Sequence, residues 1–259
     1  TAQGKYYFKA YDKAGNITST THEITLDLTA PVGQLKANGV NVTSGTITNA
    51  DKIMYIASDN LAGLKSCYVK KPNTSTFVAY TPSTGLTEAG KYEFYSVDYA
   101  GNQSAISTIT IDRSIPKAQL YADGNSLANN SYTNGQYIKF VSDGTCFVKK
   151  PSATGFISYV SGTEFFQVGR YEFYAQNAAG TKTDTYVVII DRTPKKVTVN
   201  RVSDVVSGWN DIDVSWTDGD PKTTAPITRI TVNGMPYVFG DIICSLAGNT
   251  YNIVVYDAA

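Results

Sequence analysis

The fold of this chain is decided by the stretch Gly90-Lys91-Tyr92-Glu93-Phe94, which runs into the turn Asp98-Tyr99-Ala100-Gly101-Asn102. Copies of the stretch occur at Gly4–Phe8, at Gly169–Phe173 and, in a looser form, at Gly248–Tyr251. The residues that open the turns are Asp12, Asp98, Asn177 and Asp257, which stand 86, 79 and 80 positions apart. A period close to 80 residues predicts a tandem array of one small domain type.

Side chains alternate along this tyrosine segment as they do in a β-strand. Tyr92, Phe94 and Ser96 fall on one face, and the residues between them fall on the other. After the turn, a second strand ends in an aspartate at Asp27, Asp112 and Asp191. The glycine of the turn supplies a positive φ, so the two strands are predicted to form a hairpin.

Each hairpin is followed by a short junction that contains a proline. The junctions are Leu28-Thr29-Ala30-Pro31, Arg113-Ser114-Ile115-Pro116 and Arg192-Thr193-Pro194. Because proline stiffens a short linker, we expect neighbouring units to follow one another in a semi-rigid line. The predicted segments are the C-terminal hairpin of a preceding repeat (1–29), a first complete repeat (30–114), a second complete repeat (115–193) and a divergent repeat without its last strand (194–259).

The fold class is predicted to be all-β, a series of immunoglobulin-like sandwiches in a linear array. In the first complete repeat, strands are expected at 52–57, 65–69 and 77–80, and no stretch has amphipathic helical spacing. About seven short strands in 80 residues is typical of an immunoglobulin-like sandwich. Tyr92 and Tyr171 fit the position of a tyrosine corner, with a phenylalanine where many such domains have a cysteine. A buried tyrosine without the corner hydrogen bond is the alternative.

The hairpin and junction resemble a known family. An Asp-x-Ala-Gly-Asn turn followed by a strand ending in Ile-Asp-Arg-Ser/Thr-x-Pro is similar to the tandem bacterial immunoglobulin-like repeats of large cell-surface proteins, of the adhesin or stalk type. The resemblance covers the whole chain at the level of hairpin and junction. It implies an extracellular, cell wall-associated setting and no particular ligand. The last repeat, with Trp209 and Trp216, leaves open a fibronectin-III-like module.

Composition excludes two classes of partner. The 22 basic and 22 acidic residues balance, which argues against nucleic-acid binding, and no apolar run approaches the ~18 residues of a membrane span.

The ends of the chain fall inside the repeated hairpin, so we expect an excerpt of a longer array. The alternative is strand donation, in which residues 17–29 of one molecule complete the last repeat of the next.

The sequence contains few residues that could form a catalytic site. His22 is the only histidine, so no Ser-His-Asp or Cys-His relay can form within the complete repeats. The carboxylates Glu88 and Asp98 correspond to Gln167 and Asn177 in the next repeat, which argues against a glycosidase role shared by the repeats. We therefore predict that the chain is not an enzyme, and we assign no catalytic, cofactor-binding or metal-binding residue and no cofactor.

The cysteines and the aspartates of the turns and junctions favour a structural role. Cys67, Cys146 and Cys244 occur once per repeat, which favours buried apolar residues over a bridge or a metal site. Oxygen ligands for calcium are available at Asp123-Gly124-Asn125, Asp218-Gly219-Asp220 and the junction residues Asp27, Asp112 and Asp191, but a role in turns is favoured for these residues. If calcium binds, a junction is the place where it would stiffen the array.

Binding is the remaining alternative. Lys70, Lys71, Lys149 and Lys150 form a duplicated Lys-Lys-Pro motif. The outward tyrosines Tyr95 and Tyr174 could stack on sugars, although polar strand tips are favoured. The leading hypothesis is a non-catalytic spacer, stalk or adhesin segment whose partners are the neighbouring repeats of the same polypeptide. The alternative is a set of carbohydrate-binding accessory modules of a secreted or wall-anchored glycan-degrading enzyme, with a host or environmental glycan or protein as partner.

Overall fold

The computed structural model of the chain is all-β and describes residues 4–193, 195–203, 209–217, 225–238, 243–246 and 251–259. This part of the chain contains no helix, and so none that is long and apolar enough to cross a membrane. The chain divides into two compact units, Thr1–Ser114 with Ala178–Thr181 and Ile115–Asn177 with Lys182–Ala259.

The first unit begins with a hairpin that forms a two-stranded sheet of its own. Strands β1 (Gly4–Tyr11) and β2 (Ile17–Leu26) pair antiparallel, with Gly4 opposite Leu26. The connecting turn is closed by Asp12, whose Oδ1 accepts the backbone N–H groups of Ala14 and Asn16, both at 2.8 Å. The repeated turn sequence therefore works through its aspartate as well as through its glycine.

The first complete repeat forms two sheets around one core. Its strands are β3 (Val32–Ala37), β4 (Val40–Val42), β5 (Thr46–Thr48), β6 (Ile53–Ser58), β7 (Leu64–Lys70), β8 (Val78–Tyr80), β9 (Gly90–Asp98) and β10 (Ser107–Ile111). The sheets have the orders β4-β3-β6 and β5-β10-β9-β7-β8, and β5 pairs parallel with β10. The two inner faces meet in one buried cluster that includes Ile53 and Tyr55 from one sheet and Val69, Phe94 and Ile109 from the other.

The second complete repeat has the same topology. Its strands are β11 (Ala118–Ala122), β12 (Asn125–Leu127), β13 (Ser131–Thr133), β14 (Ile138–Ser142), β15 (Thr145–Lys149), β16 (Ile157–Tyr159), β17 (Glu164–Phe165), β18 (Gly169–Gln176) and β19 (Tyr186–Ile190). They form sheets of order β12-β11-β14-β17 and β13-β19-β18-β15-β16, and β13 pairs parallel with β19. Strand β17 corresponds to the isolated bridge that Leu86 makes with Ile53 in the first repeat.

The last repeat continues the pattern in its described part. Its strands are β20 (Lys196–Ser203), β21 (Trp209–Thr217), β22 (Ile227–Val232), β23 (Met235–Tyr237), β24 (Ile243–Leu246) and β25 (Ile253–Asp257). They form sheets of order β20-β21-β24 and β23-β22-β25. Strand β25 occupies the place of β9 and β18, and among the described residues it is paired on one side only.

The predicted alternation of the tyrosine segment is confirmed. Tyr92, Phe94 and Ser96 are at most 1% exposed, whereas Tyr95 between them is partly exposed. The Tyr92 hydroxyl donates to the carbonyl of Glu88, four residues upstream, at 3.0 Å. The Tyr171 hydroxyl makes the equivalent 3.0 Å bond to the carbonyl of Gln167, so both complete repeats contain the corner interaction.

The glycine that opens the segment is required by packing as well as by conformation. Gly90 has a φ of +129°, and a Cβ placed there would lie 2.6 Å from the Cβ of Pro72. Gly169 has a φ of +121° and meets Pro151 in the same way. The Gly-x-Tyr-x-Phe and Lys-Lys-Pro sequences are therefore two halves of one close contact, which only glycine permits.

The same motif is exposed in the N-terminal hairpin. Phe8 and Ile24 are 53% and 55% exposed, whereas their equivalents Phe94 and Ile109 are fully buried. Strands β1 and β2 are already paired with each other, so donation of residues 17–29 to another molecule would first have to break this pairing. Strand donation consequently carries an extra cost.

This contrast predicts that the same substitution has a large effect at one of two equivalent positions and almost none at the other. Phe94→Ala should lower the free energy of unfolding of the first repeat by about 3–5 kcal/mol, because it empties a fully buried site. Phe8→Ala should change it by less than about 0.5 kcal/mol. Urea unfolding of the two variants measures the difference, and equal losses would contradict the described burial.

Candidate functional site

The strongest candidate site is a group of three carboxylates at the junction before the first complete repeat. Asp27 directly follows β2, Asp59 lies in the loop between β6 and β7, and Asp98 ends β9. One carboxylate oxygen from each residue lies within 4.8 Å of the other two. Asp27 and Asp98 are buried, at 4% and 0% exposure, and Asp59 is half-buried. We call these three residues the acidic cluster.

Asp27 ties the junction to the first repeat. Its Oδ1 accepts the backbone N–H and the hydroxyl of Thr29, both at 2.9 Å, and its Oδ2 accepts the N–H of Ala62 at 2.8 Å. The side-chain amide of Asn102 donates to the carbonyl of Asp27 at 3.1 Å. The Thr29 N–H is the main cause that holds the pKa of Asp27 below its ordinary value.

The other two carboxylates are also held by neutral donors. Asp98 accepts the backbone N–H and the side-chain amide of Asn102, both at 2.8 Å. Asp59 Oδ2 accepts the N–H groups of Leu61 and Gly63 at 3.0 and 2.8 Å. In the part of the chain that the structure describes, no lysine or arginine forms an ion pair with any of the three.

At the junction before the last repeat, the aspartate is paired with a lysine. Asp191 accepts the N–H groups of Thr193 and Ala225 at 2.9 and 2.7 Å, and Lys195 Nζ lies 3.1 Å from its Oδ2. The same ammonium lies 3.9 Å from Asp257 Oδ2. Burial alone would raise the pKa of Asp191, but the two N–H groups and the ammonium outweigh it and the pKa is lowered.

The second complete repeat has no such cluster. Asn177 stands where the first repeat has Asp98, and the loop between β14 and β15 has two residues (143 and 144), whereas the loop that carries Asp59 has five (59–63). Asp143 Oδ1 accepts the N–H of Lys117 at 2.8 Å. Asp112 accepts the hydroxyl and N–H of Ser114, which lower its pKa. The three junctions thus share an aspartate but differ in what surrounds it.

The structure brings together two residues that the sequence named separately. The sequence offers Asp27 as a candidate calcium ligand, and Glu88 and Asp98 as a candidate carboxylate pair of a glycosidase. Glu88 is exposed and does not join the other two. Asp59 was missed, and the signal for it is an acidic residue at the start of the loop between β6 and β7, which is longer than its counterpart in the second repeat. Carboxylate oxygens are the ligands that hard cations prefer, so cation binding is the chemistry open to this cluster.

The remaining residues named from the sequence have structural roles or lie outside the described part of the chain. Asp123 and Gly124 form the turn between β11 and β12, as their sequence predicts, and the Asp123 carboxylate accepts the N–H groups of Gln136 and Tyr137 just before β14. Cys67 and Cys146 are buried and unpaired. The backbone of His22 pairs with Phe8. Asp218 and Asp220 lie outside the described residues, as do the side chains of His22, Trp209, Trp216 and Cys244.

The outward aromatic residues form a cluster that recurs in both complete repeats. Tyr95 stacks on Tyr68 with ring centroids 4.8 Å apart and meets Phe77 edge-on at 4.8 Å. The second repeat places Tyr174 on Phe147 at 4.7 Å and beside Phe156 at 4.9 Å. The rings proposed for sugar stacking are therefore engaged with one another, and they cover the outer face of the sheet.

The Lys-Lys-Pro lysines lie at strand tips. Lys70 Nζ lies 2.7 Å from Glu93, and Lys149 Nζ lies 3.6 Å from Glu172. Lys150 lies over the ring of Phe165 at 5.7 Å. These are cross-strand pairs of the kind expected on a solvated sheet face, which supports the structural interpretation of the motif.

The buried Asp191–Lys195 pair predicts a loss of stability on acidification. Because the pKa of Asp191 is lower in the folded chain than its ordinary 3.8, the stabilisation is present above that value and is lost as the pH falls through the folded pKa. Asp191→Asn should lower the free energy of unfolding by about 3 kcal/mol near neutral pH. It should also flatten the dependence of stability on pH below about pH 4.

Asp184→Asn is the matched control, because Asp184 is exposed and forms no ion pair among the described residues. Chemical unfolding of both variants and the parent at a series of pH values is the measurement. A pH dependence that is the same in all three proteins would show that Asp191 does not contribute as described.

Comparison with known proteins adds no family to these observations. No protein-family model matches the sequence, and no curated protein matches it.

Proposed function

We propose that the chain is a non-catalytic extracellular spacer, stalk or adhesin segment of a bacterial cell-surface protein. In this proposal, immunoglobulin-like sandwiches of about 80 residues follow one another in a linear array. The sheet orders of the two complete repeats match except for the added strand β17. This match, the parallel β5–β10 and β13–β19 pairs and the tyrosine corner support the immunoglobulin-like assignment. The cell-surface setting rests on the resemblance of the hairpin and junction sequences.

The observation that carries the proposal is the way the junction aspartates are held. Asp27 ends the hairpin, yet its carboxylate and its carbonyl both accept hydrogen bonds from loops of the first complete repeat. Asp191 is held through its carboxylate, which accepts the N–H of Ala225 and lies beside the ammonium of Lys195. A linker fixed through both side chain and backbone resists swinging, and this is what a spacer needs in order to hold its ends apart.

The linear arrangement predicts a large radius of gyration in solution. A single compact domain of 259 residues would have a radius of gyration of about 18 Å. Three globules of 80 residues in line, each of about 12 Å, give about 27 Å. Small-angle X-ray scattering of the full chain measures this quantity, and a value near the compact one would contradict the proposed array.

The alternative proposal is that these repeats are carbohydrate-binding accessory modules of a secreted or wall-anchored glycan-degrading enzyme. The recurrence of the outward aromatic cluster at one place in both complete repeats favours it. A glycan array with the full chain tests this alternative. Saturable binding that is lost in Tyr95→Ala, Trp209→Ala or Trp216→Ala would replace the pure spacer, and no binding is the result expected for a spacer.

A further inference from the structure

The first complete repeat contains an open cavity beside the connection from β4 to β5, where the chain passes from one sheet to the other. Its volume is about 590 Å³, which lies within the range of small-molecule sites in proteins. We call it the β4–β5 cavity. Among the residues that line it are Gly33, Leu35, Asn41, Val42, Thr43 and Ser107.

The lining of the β4–β5 cavity combines apolar side chains with unused polar groups. Leu35 is buried in the core of the repeat, and half-buried Val42 packs against the same core. In the part of the chain that the structure describes, no hydrogen bond engages the side-chain amide of Asn41 or the hydroxyls of Thr43 and Ser107. Apolar walls with a few free polar groups are typical of a site for a small organic ligand.

In the second repeat, a tyrosine fills the corresponding place. Tyr186 stands at the position of Ser107, since each pairs with the phenylalanine of its own tyrosine segment. The Tyr186 ring packs against the core of the second repeat, with its centroid 5.2 Å from that of Phe140. Its hydroxyl donates to the carbonyl of Ala118 at 3.4 Å. This place in the fold therefore accepts an aromatic ring with a hydroxyl group.

The first repeat keeps the surroundings of that ring but lacks the ring itself. The Tyr186 side chain spans the distance from β19 to Ala118. The counterparts of these two residues are Ser107 and Gly33, and both line the β4–β5 cavity. Strand β4 pairs with Leu35–Ala37 only, so it ends before it reaches Gly33, just as β12 ends before Ala118. Because serine has no ring, the space between the two positions stays open.

We propose that the β4–β5 cavity binds a phenolic ring, which takes the place that the Tyr186 ring has in the second repeat. The ring lies against Leu35 and Val42, and its hydroxyl donates to the carbonyl of Gly33. The phenol belongs either to a free small molecule or to a tyrosine of a partner protein, because the two share the group that the cavity recognises. This inference goes beyond the spacer role and does not depend on it.

Titration of the isotope-labelled full chain with p-cresol, the side chain of tyrosine as a free molecule, tests the proposal by nuclear magnetic resonance. We expect saturable shifts of the amide signals of Leu35, Val42 and Thr43, and none at Leu127, the counterpart of Val42. The dissociation constant should be on the order of 10⁻³ M, because an open cavity covers only part of so small a ligand.

Two related probes define what the cavity recognises. The methyl ether of p-cresol has the same ring but no hydroxyl donor, and it should bind about fivefold more weakly. N-acetyltyrosinamide carries the phenol on a peptide backbone. Tighter binding of this compound than of p-cresol assigns the site to a tyrosine of a partner protein, and weaker binding assigns it to a free phenol.

Ser107→Tyr makes the test specific to the cavity, because it supplies the ring from the chain itself, as Tyr186 does in the second repeat. It should weaken p-cresol binding by about tenfold or more and raise the unfolding temperature, since it fills an open space. Thr108→Tyr is the matched control. It adds the same ring to the same strand, but on the opposite face, and should bind p-cresol like the parent.

The reciprocal variant Tyr186→Ser keeps the test decisive if Ser107→Tyr does not fold. It should lower the unfolding temperature and create a second site, so that p-cresol shifts the amide signal of Leu127 and restores part of the lost stability.

Three results would overturn the proposal. The first is the absence of saturable shifts at Leu35, Val42 and Thr43 with every phenol. The second is undiminished p-cresol binding by folded Ser107→Tyr. The third is binding of methyl glucoside at the same amides as tightly as p-cresol, which would indicate a site for saccharides.

Discussion

Each complete repeat depends on the packing of one phenylalanine of the tyrosine segment against an aromatic ring of the opposite sheet. Phe94 on β9 stacks on Tyr55 of β6 at 5.0 Å, and Phe173 on β18 stacks on Phe140 of β14 at 5.3 Å. A unit of about 80 residues has a thin core, and aromatic side chains bury the largest area per residue. The strands, the turn and the corner hydrogen bond all place these rings in contact.

The two repeats satisfy the polar atoms of this core in different ways. In the first repeat, the Tyr55 hydroxyl lies 3.2 Å from the Ser96 hydroxyl, so each buried oxygen has a partner. In the second, Phe140 and Ala175 stand at the same places, and both hydroxyls are missing together. Loss of one hydroxyl alone would leave a buried polar group unsatisfied, whereas loss of both is close to neutral. The two positions therefore behave as one unit.

The junction aspartates also have different partners at equivalent places in the repeats. An aspartate follows the last strand at each junction, but it is surrounded by two more carboxylates at Asp27, by Ser114 at Asp112 and by Lys195 at Asp191. Sequence reasoning identified the three junction aspartates and considered a cation for them. It could not identify the partners, because Asp59 in the β6–β7 loop and Asp98 at the end of β9 reach the junction only when both sheets have formed.

The sequence by itself determined the period, the hairpins, the inner face of the tyrosine segment and the positions of several strands to within about one residue. These features depend on residues that are close along the chain, where alternation and turn chemistry act directly. Only the tertiary structure decided the parallel pairing of β5 with β10, the burial of Phe94 but not of Phe8, and the meeting of Asp27, Asp59 and Asp98. Each of these depends on contacts between distant segments, and similar local sequences acquire different surroundings according to the strands that pack over them.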